Sequence, residues 1–290
     1  KSLAYFEKAR ALYERSGIAP GLAGAYNDLG SAYGAVGDPD SSLYWHRRAA
    51  ELRRRNGLHN GVGDSYNYIG AILRERGDAD IALAYFDTAL AAYARVPNRQ
   101  GVASVYGSMA EVEYARGAFA VALAYYDSSL VSIAGNNWPM EQADLLYRKA
   151  RVHEGSGDPG AALSTYRAAI ERALSANYYP LVMHCQKAAI ALYERSGDLR
   201  SAYYAHRAFL VAKDSTSRRA RTDEVTRHAL RYELEQDNMR RQVEDEAQLR
   251  AGEADLATEE RQKYVYIAGG SLLGLLAIGL IGRLRFTARA

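Results

Sequence analysis

Five glycines, Gly37, Gly77, Gly117, Gly157 and Gly197, stand in strict arithmetic progression at intervals of 40 residues. Self-similarity at such a period marks a repeat array, in which one short supersecondary unit stacks on its own copies. Upstream of Gly77, the residues Tyr66, Ile69, Gly70 and Leu73 fall at i, i+3, i+4 and i+7, which places them on one face of a helix. Downstream, Ala82, Phe86 and Ala89 do the same for a second helix. Gly77 supplies a residue that tolerates positive φ where the first helix must end, and Asp78 is placed to cap the second. The predicted unit is therefore a helical hairpin. Gly70 and Ala82 are small enough to let its two helices approach, and Phe86 is large enough to fill the space between them. One hairpin cannot bury that face alone, so neighbours must stack.

The residue pattern inside the unit carries a resemblance. Tyr26-x2-Leu29-Gly30-x2-Tyr33 and Ala82-x3-Phe86-x2-Ala89 resemble the tetratricopeptide repeat, with Tyr in place of that family's Trp. The period is longer than the family's usual ~34 residues, which resembles its longer-helix subclass rather than HEAT or armadillo repeats. The pair at 29 and 30 becomes Met109-Ala110, Lys149-Ala150 and Ala189-Ile190 along the chain, whereas Ala82, Ala122, Ala162 and Ala202 persist. The resemblance covers Lys1 to Lys213 and implies an all-α, TPR-like α-solenoid. Ser2, Leu3, Phe6 and Ala9 occupy second-helix positions, so 1–16 is expected to be the second helix of a truncated repeat and 17–213 to hold five hairpins.

Charge and composition exclude several function classes. The net charge is +3, and Arg283, Arg285 and Arg289 account for all of it, so the preceding residues sum to zero and carry no nucleic-acid footprint. The runs Arg53-Arg54-Arg55 and Arg218-Arg219-x-Arg221 are expected to be solvated helix ends. Cys185 is the single cysteine and is expected to be buried and inert. Gly155 to Gly160 matches GxGxxG, but it follows a helix rather than a strand, and Gly157 is simply a hinge. His184 and Cys185 are adjacent on a helix and so point about 100° apart, which gives no metal-ligand geometry. His46 and His206 share the position held by Phe86, Tyr126 and Tyr166 and are expected to replace those rings in packing. No paired carboxylates, nucleophile triad or phosphate loop emerges, so the chain is expected to be non-catalytic, with no cofactor and no metal.

What a solenoid offers instead is a concave surface lined by its first helices. Asn27 and Asn67 stand at one repeat position on that surface. In tetratricopeptide relatives that bind extended peptides, asparagines so placed hydrogen-bond the peptide backbone, and these two resemble a partial version of that ladder, which lapses at Gly107, Tyr147 and Lys187. Arg74, Arg148 and Arg151 are candidates to supply charge to the same groove. An ordinary seam role for all five residues is the competing expectation, and the expected partner is a peptide or protein.

After Lys213 the rhythm changes. Residues 214–263 contain no proline and one glycine, Gly252, with acids and bases densely mixed, which predicts a long charged helix. Val225, Tyr232 and Met239 at heptad a positions, with Leu249 and Leu256 at d, give it a weak coiled-coil pattern. Residues 264–282 carry no charge and would span about 28 Å as a helix, which predicts a single transmembrane helix. Tyr264 and Tyr266 suit the interface, and Gly270 and Gly274 form a GxxxG through which two such helices could touch, favouring a homodimer. Arg283, Arg285 and Arg289 follow the span more densely than Arg250, Arg261 and Lys263 precede it, so 283–290 is expected to be a cytoplasmic flank and the repeats extracytoplasmic.

This order of parts resembles the sensor half of bacterial membrane-bound signalling receptors. In that family periplasmic repeats lead through one span to a histidine kinase, a nucleotide cyclase or a helix-turn-helix regulator. The resemblance implies a sensory, peptide-binding region whose output module is not among these residues. A tail-anchored scaffold that holds partners at a membrane without signalling is the alternative.

Overall fold

The computed structural model describes residues 2–219 and, beyond them, Arg231, Met239, Arg240, Glu244 and Lys263. The predicted transmembrane helix and its flank, and nearly all of the predicted charged helix, lie outside the described residues. Among the described residues no helix is long and apolar enough to cross a membrane. Lys1–Ser217 form one compact unit, and 2–217 are helical apart from short turns.

The helices run α1 (Ser2–Ser16), α2 (Ala19–Ala35), α3 (Pro39–Arg55), α4 (His59–Arg76), α5 (Ala79–Tyr93), α6 (Arg99–Ala115), α7 (Phe119–Ser132), α8 (Pro139–Gly155), α9 (Pro159–Ser175) and α10 (Tyr179–Ser196). A further helix, α11, covers 199–219. Packing is densest within the pairs α2/α3, α4/α5, α6/α7 and α8/α9, and each pair then leans on the next. Successive first helices also meet, α4 with α6 and α8 with α10, and second helices meet to no comparable extent. The first helices therefore lie on the inner side of the stack.

All five hinge glycines adopt positive φ, 87° at Gly77 and 76° at Gly197, as their chain position requires. The turns between hairpins repeat the device: Gly17, Gly57 and Asn177 are also left-handed, so the chain is punctuated about every half period. Residues 97 and 137 interrupt this second series. There the linkers lengthen to 94–98 and 133–138, with Asn98 capping α6 and Gly135 turning the chain.

The expected capping by the hinge aspartates holds at three of the four sites. Asp38 accepts from the backbone N–H of Ser41 at 3.0 Å, Asp158 from Ala161 at 2.9 Å and Asp198 from Ser201 at 3.0 Å. Asp78 makes no such bond. Asp38 and Asp158, each followed by proline, have ψ near 85° and 82°, whereas ψ is 57° at Asp78. Asp198 caps with Leu199 after it, so proline favours the cap without being required for it. Asp38→Ala should accordingly cost about 1 kcal/mol and Asp78→Ala only a few tenths, a difference measurable by urea denaturation.

The core confirms the logic of the hairpin. Phe86 is fully buried, and a Cβ built on Gly70 would sit 2.5 Å from its ring. His46 occupies the same place above Gly30 and stacks on Tyr68 with centroids 4.9 Å apart. His206 departs from the expectation: it is exposed and stacks on Phe209 with ring centroids 6.2 Å apart. Cys185 is buried, and burial pushes its thiol up to about 12. Arg53 is the other correction, because it is drawn into the seam while Arg54 and Arg55 stay exposed.

Most of the buried side chains beyond α3 fall into three clusters rather than one. One runs from Leu43 to Val112 and is built around Phe86, and another runs from Ala143 to Ala212 around Tyr166. Between them lies a small group of Ala110, Ala122, Tyr126 and Val152.

Candidate functional site: the first-helix groove

The groove-facing residues are fixed by helical phase, since α2, α4, α6 and α8 each bury a small residue (Gly30, Gly70, Ala110, Ala150) against the second helices and turn the opposite positions inward. Asn27 is half-buried on α2, and its Oδ1 lies out of solvent with no hydrogen-bond donor. Asn67 on α4 is engaged: its Nδ2 donates to Ser104 Oγ at 3.1 Å, and its Oδ1 accepts from Ser108 Oγ at 3.4 Å. It thus ties α4 to α6.

The three arginines have different settings. Arg148 on α8 reaches Asp144 Oδ2 at 2.8 Å and Glu111 Oε1 at 3.5 Å, and Glu111 also accepts from the Tyr126 hydroxyl. Its charge is therefore shared between two carboxylates, one from each of two adjacent first helices. Burial together with Glu111 pushes the Tyr126 phenol upward, so it remains a hydrogen-bond donor. Arg151 lies over the Tyr114 ring, 5.5 Å from its centroid, a cation–π contact that also joins α8 to α6. Arg74 stands apart on α4, paired among the described residues with Glu75 at 3.4 Å, an exposed contact that contributes little.

Asn67, Arg148 and Arg151 are thus brought together as links along one row of first helices, and Asn27 and Arg74 are not part of that chain of contacts. Sequence reasoning passed over Ser104, Ser108, Glu111 and Asp144, which complete those links. The signal was available in the repeat register, because Asp64, Ser104, Asp144 and His184 share one position 40 residues apart.

Between α6 and α8 the groove deepens into an open cavity of about 370 Å³. Ala103, Ile133, Met140 and Leu145 give it an apolar floor, and Ser104, Glu141 and Asp144 give it a polar edge. Apolar walls with a few convergent polar groups are the make-up of a ligand-binding cleft. Among the described residues no group of three or more His, Cys, Asp or Glu side chains converges in a metal-binding arrangement.

The tetratricopeptide repeat pattern matches residues 22–56 and 62–130. Among solved structures, BtubC (BKLC) from P. vanneervenii aligns with a TM-score of 0.62 at 16% identity, over 74% of this chain and 91% of that one. The Rap conjugation gene regulator of the plasmid pLS20, in complex with the Phr* peptide, aligns with a TM-score of 0.50 at 19% identity, over 74% of this chain and 69% of the regulator. No curated protein matches the sequence. Residues 22–56 and 62–130 are tetratricopeptide repeats, set in an all-α, TPR-like solenoid with the protein-interaction fold of such repeats.

Proposed function

We propose that the solenoid is a non-catalytic binding region that takes a peptide or protein along its first-helix groove. The carrying observation is the open cavity between α6 and α8, flanked by Asn67 and Arg148 and lined by both apolar and carboxylate side chains. The Rap regulator, which shares the fold, holds the Phr* peptide in its structure, and that complex supports a peptide as the ligand class here. In this reading the span over 264–282 anchors the chain with the repeats outside and Ala290 in the cytoplasm. Gly270 and Gly274 pair two copies, and the charged stretch 214–263 passes groove occupancy to a cytoplasmic output module. Support for these membrane parts comes from the sequence: the charge-free run, the arginines after it, and the order of parts.

Two measurements test the reading. Peptide binding to the full chain should weaken in Asn67→Ala and Arg148→Met, and Asn67→Ala should also cost about 1 kcal/mol of stability without ligand, since its bonds to α6 go with it. Unchanged binding in both variants would confine these residues to the seam. A reporter enzyme fused after Ala290 should behave as cytoplasmic; an extracytoplasmic signal would favour the tail-anchored scaffold instead.

A further inference from the structure

One seam position recurs along the stack, and its occupants show what the cavity is shaped to hold. Tyr93, at the end of α5, passes its ring between Gly63 of α4 and Gly101 of α6, and a Cβ on either glycine would come within 2.5 Å of that ring. Its hydroxyl donates to Asp64 Oδ1 at 2.5 Å. One period earlier Arg53 fills the equivalent space against Gly61, donating to the Gly61 carbonyl at 2.9 Å and to Ser65 Oγ at 2.8 Å. Tyr13 lies against Gly21 in the same register. Long side chain on one helix, glycine on the next, is the rule of this seam.

The rule breaks at the next position. One period after Tyr93 the position is Ile133, and the two facing positions are Ala103 and Glu141. Isoleucine is too short to cross the seam, and all three residues line the 370 Å³ cavity. Ser104, which stands where Asp64 receives the Tyr93 hydroxyl, lies on its polar edge beside Asp144. One period further on, the seam is closed from the other side, because Ala173 faces Leu181 and both are buried. The cavity thus opens at the seam position that an aromatic ring fills one period earlier, with Tyr178 on its wall and hydroxyl acceptors, Ser104 and Asp144, at its edge.

We infer that this cavity receives an aromatic side chain, tyrosine above all, from the bound peptide, and that a lysine or arginine follows or precedes it. The ring would repeat the packing of Tyr93, and its hydroxyl would donate to Ser104 or Asp144. The basic neighbour answers Glu141, which pairs with no cation among the described residues and accepts only a 3.4 Å bond from Gln100. This inference rests on the groove reading and adds the ligand's anchor chemistry to it.

A random heptapeptide library selected on the full 290-residue chain tests it. The expected outcome is enrichment of Tyr next to Lys or Arg, with at least tenfold weaker binding when that Tyr is changed to Ala in a synthetic copy of a selected peptide. Ile133→Tyr, which refills the seam with the chain's own ring, should abolish the aromatic preference while the thermal transition is retained. Glu141→Lys, whose side chain stays at the cavity rim, should remove the basic preference and carries the decision if Ile133→Tyr does not fold. Selected peptides without aromatic enrichment, or enrichment that survives Ile133→Tyr or a basic preference that survives Glu141→Lys, would overturn the inference and leave the groove reading standing. If no peptide is selected at all, the groove reading fails and this inference with it.

Discussion

Replacing Phe86 with alanine is expected to cost about 4 kcal/mol, most of the stability of an ordinary domain. The ring is fully buried in the α4/α5 seam, packed against neighbours on α4, α5 and α6, so its removal leaves a cavity within a cluster held from several sides. Gly70→Leu should cost about 2 kcal/mol from the opposite direction, since even its Cβ would overlap the ring. The two substitutions share one space. In the double variant leucine enters the volume the ring vacates, so the combined loss should fall short of the sum by about 2 kcal/mol. Urea denaturation of the four proteins measures this coupling, and simple additivity would show that the glycine and the ring do not define the hairpin's interior.

The second large effect is a pH dependence. His46 is only 2% exposed, and burial, reinforced by the Arg53 guanidinium, pulls its imidazole down to about 4 from the ordinary 6.5. The unfolded chain therefore takes up a proton below about 6.5 that the folded chain refuses. Stability from this residue is complete above that value, falls as the pH drops toward 4, and is then down by about 3 kcal/mol. His46→Phe restores the residue type found at Phe86 and should remove this slope while leaving the carboxylate titrations intact. Thermal midpoints of both proteins between pH 4 and 7.5 decide it: parallel curves would mean that His46 is protonated in the fold.

The repeat architecture was legible because it depends on single residues at fixed intervals. A glycine at each hinge, a ring at Phe86 and its counterparts, and an alanine one turn before it on the same helix all announce themselves one at a time. The half-period punctuation was less visible, since Pro97 and Asn137 break the series that Gly17, Gly57 and Asn177 belong to. Asp78 reads like Asp38, yet the backbone torsion differs, with ψ 57° against 85°, and only the Asp38 carboxylate reaches an N–H. Arg53 sits in a basic run that looks solvated, and only the glycine opposite it, Gly61, makes room for the side chain. The cavity was the least legible feature of all. It arises from Ala103, Ile133 and Glu141 jointly, on three separate segments, and no one of them is unusual alone.

Three clusters in place of a single core also determine how the unit breaks. The middle group, Ala110, Ala122, Tyr126 and Val152, is small, and the open cavity lies on the groove side of the same joint. Heat, denaturant or a pulling force should therefore part the chain first between α6 and α8, leaving the flanking blocks folded for a time as independent pieces, as expected of nearest-neighbour repeats. A ligand side chain lodged at that joint would act as a splint across a fracture line. Occupancy would then register mechanically, as two yielding events merging into one, and the joint most easily broken would also be the one best placed to sense what is bound.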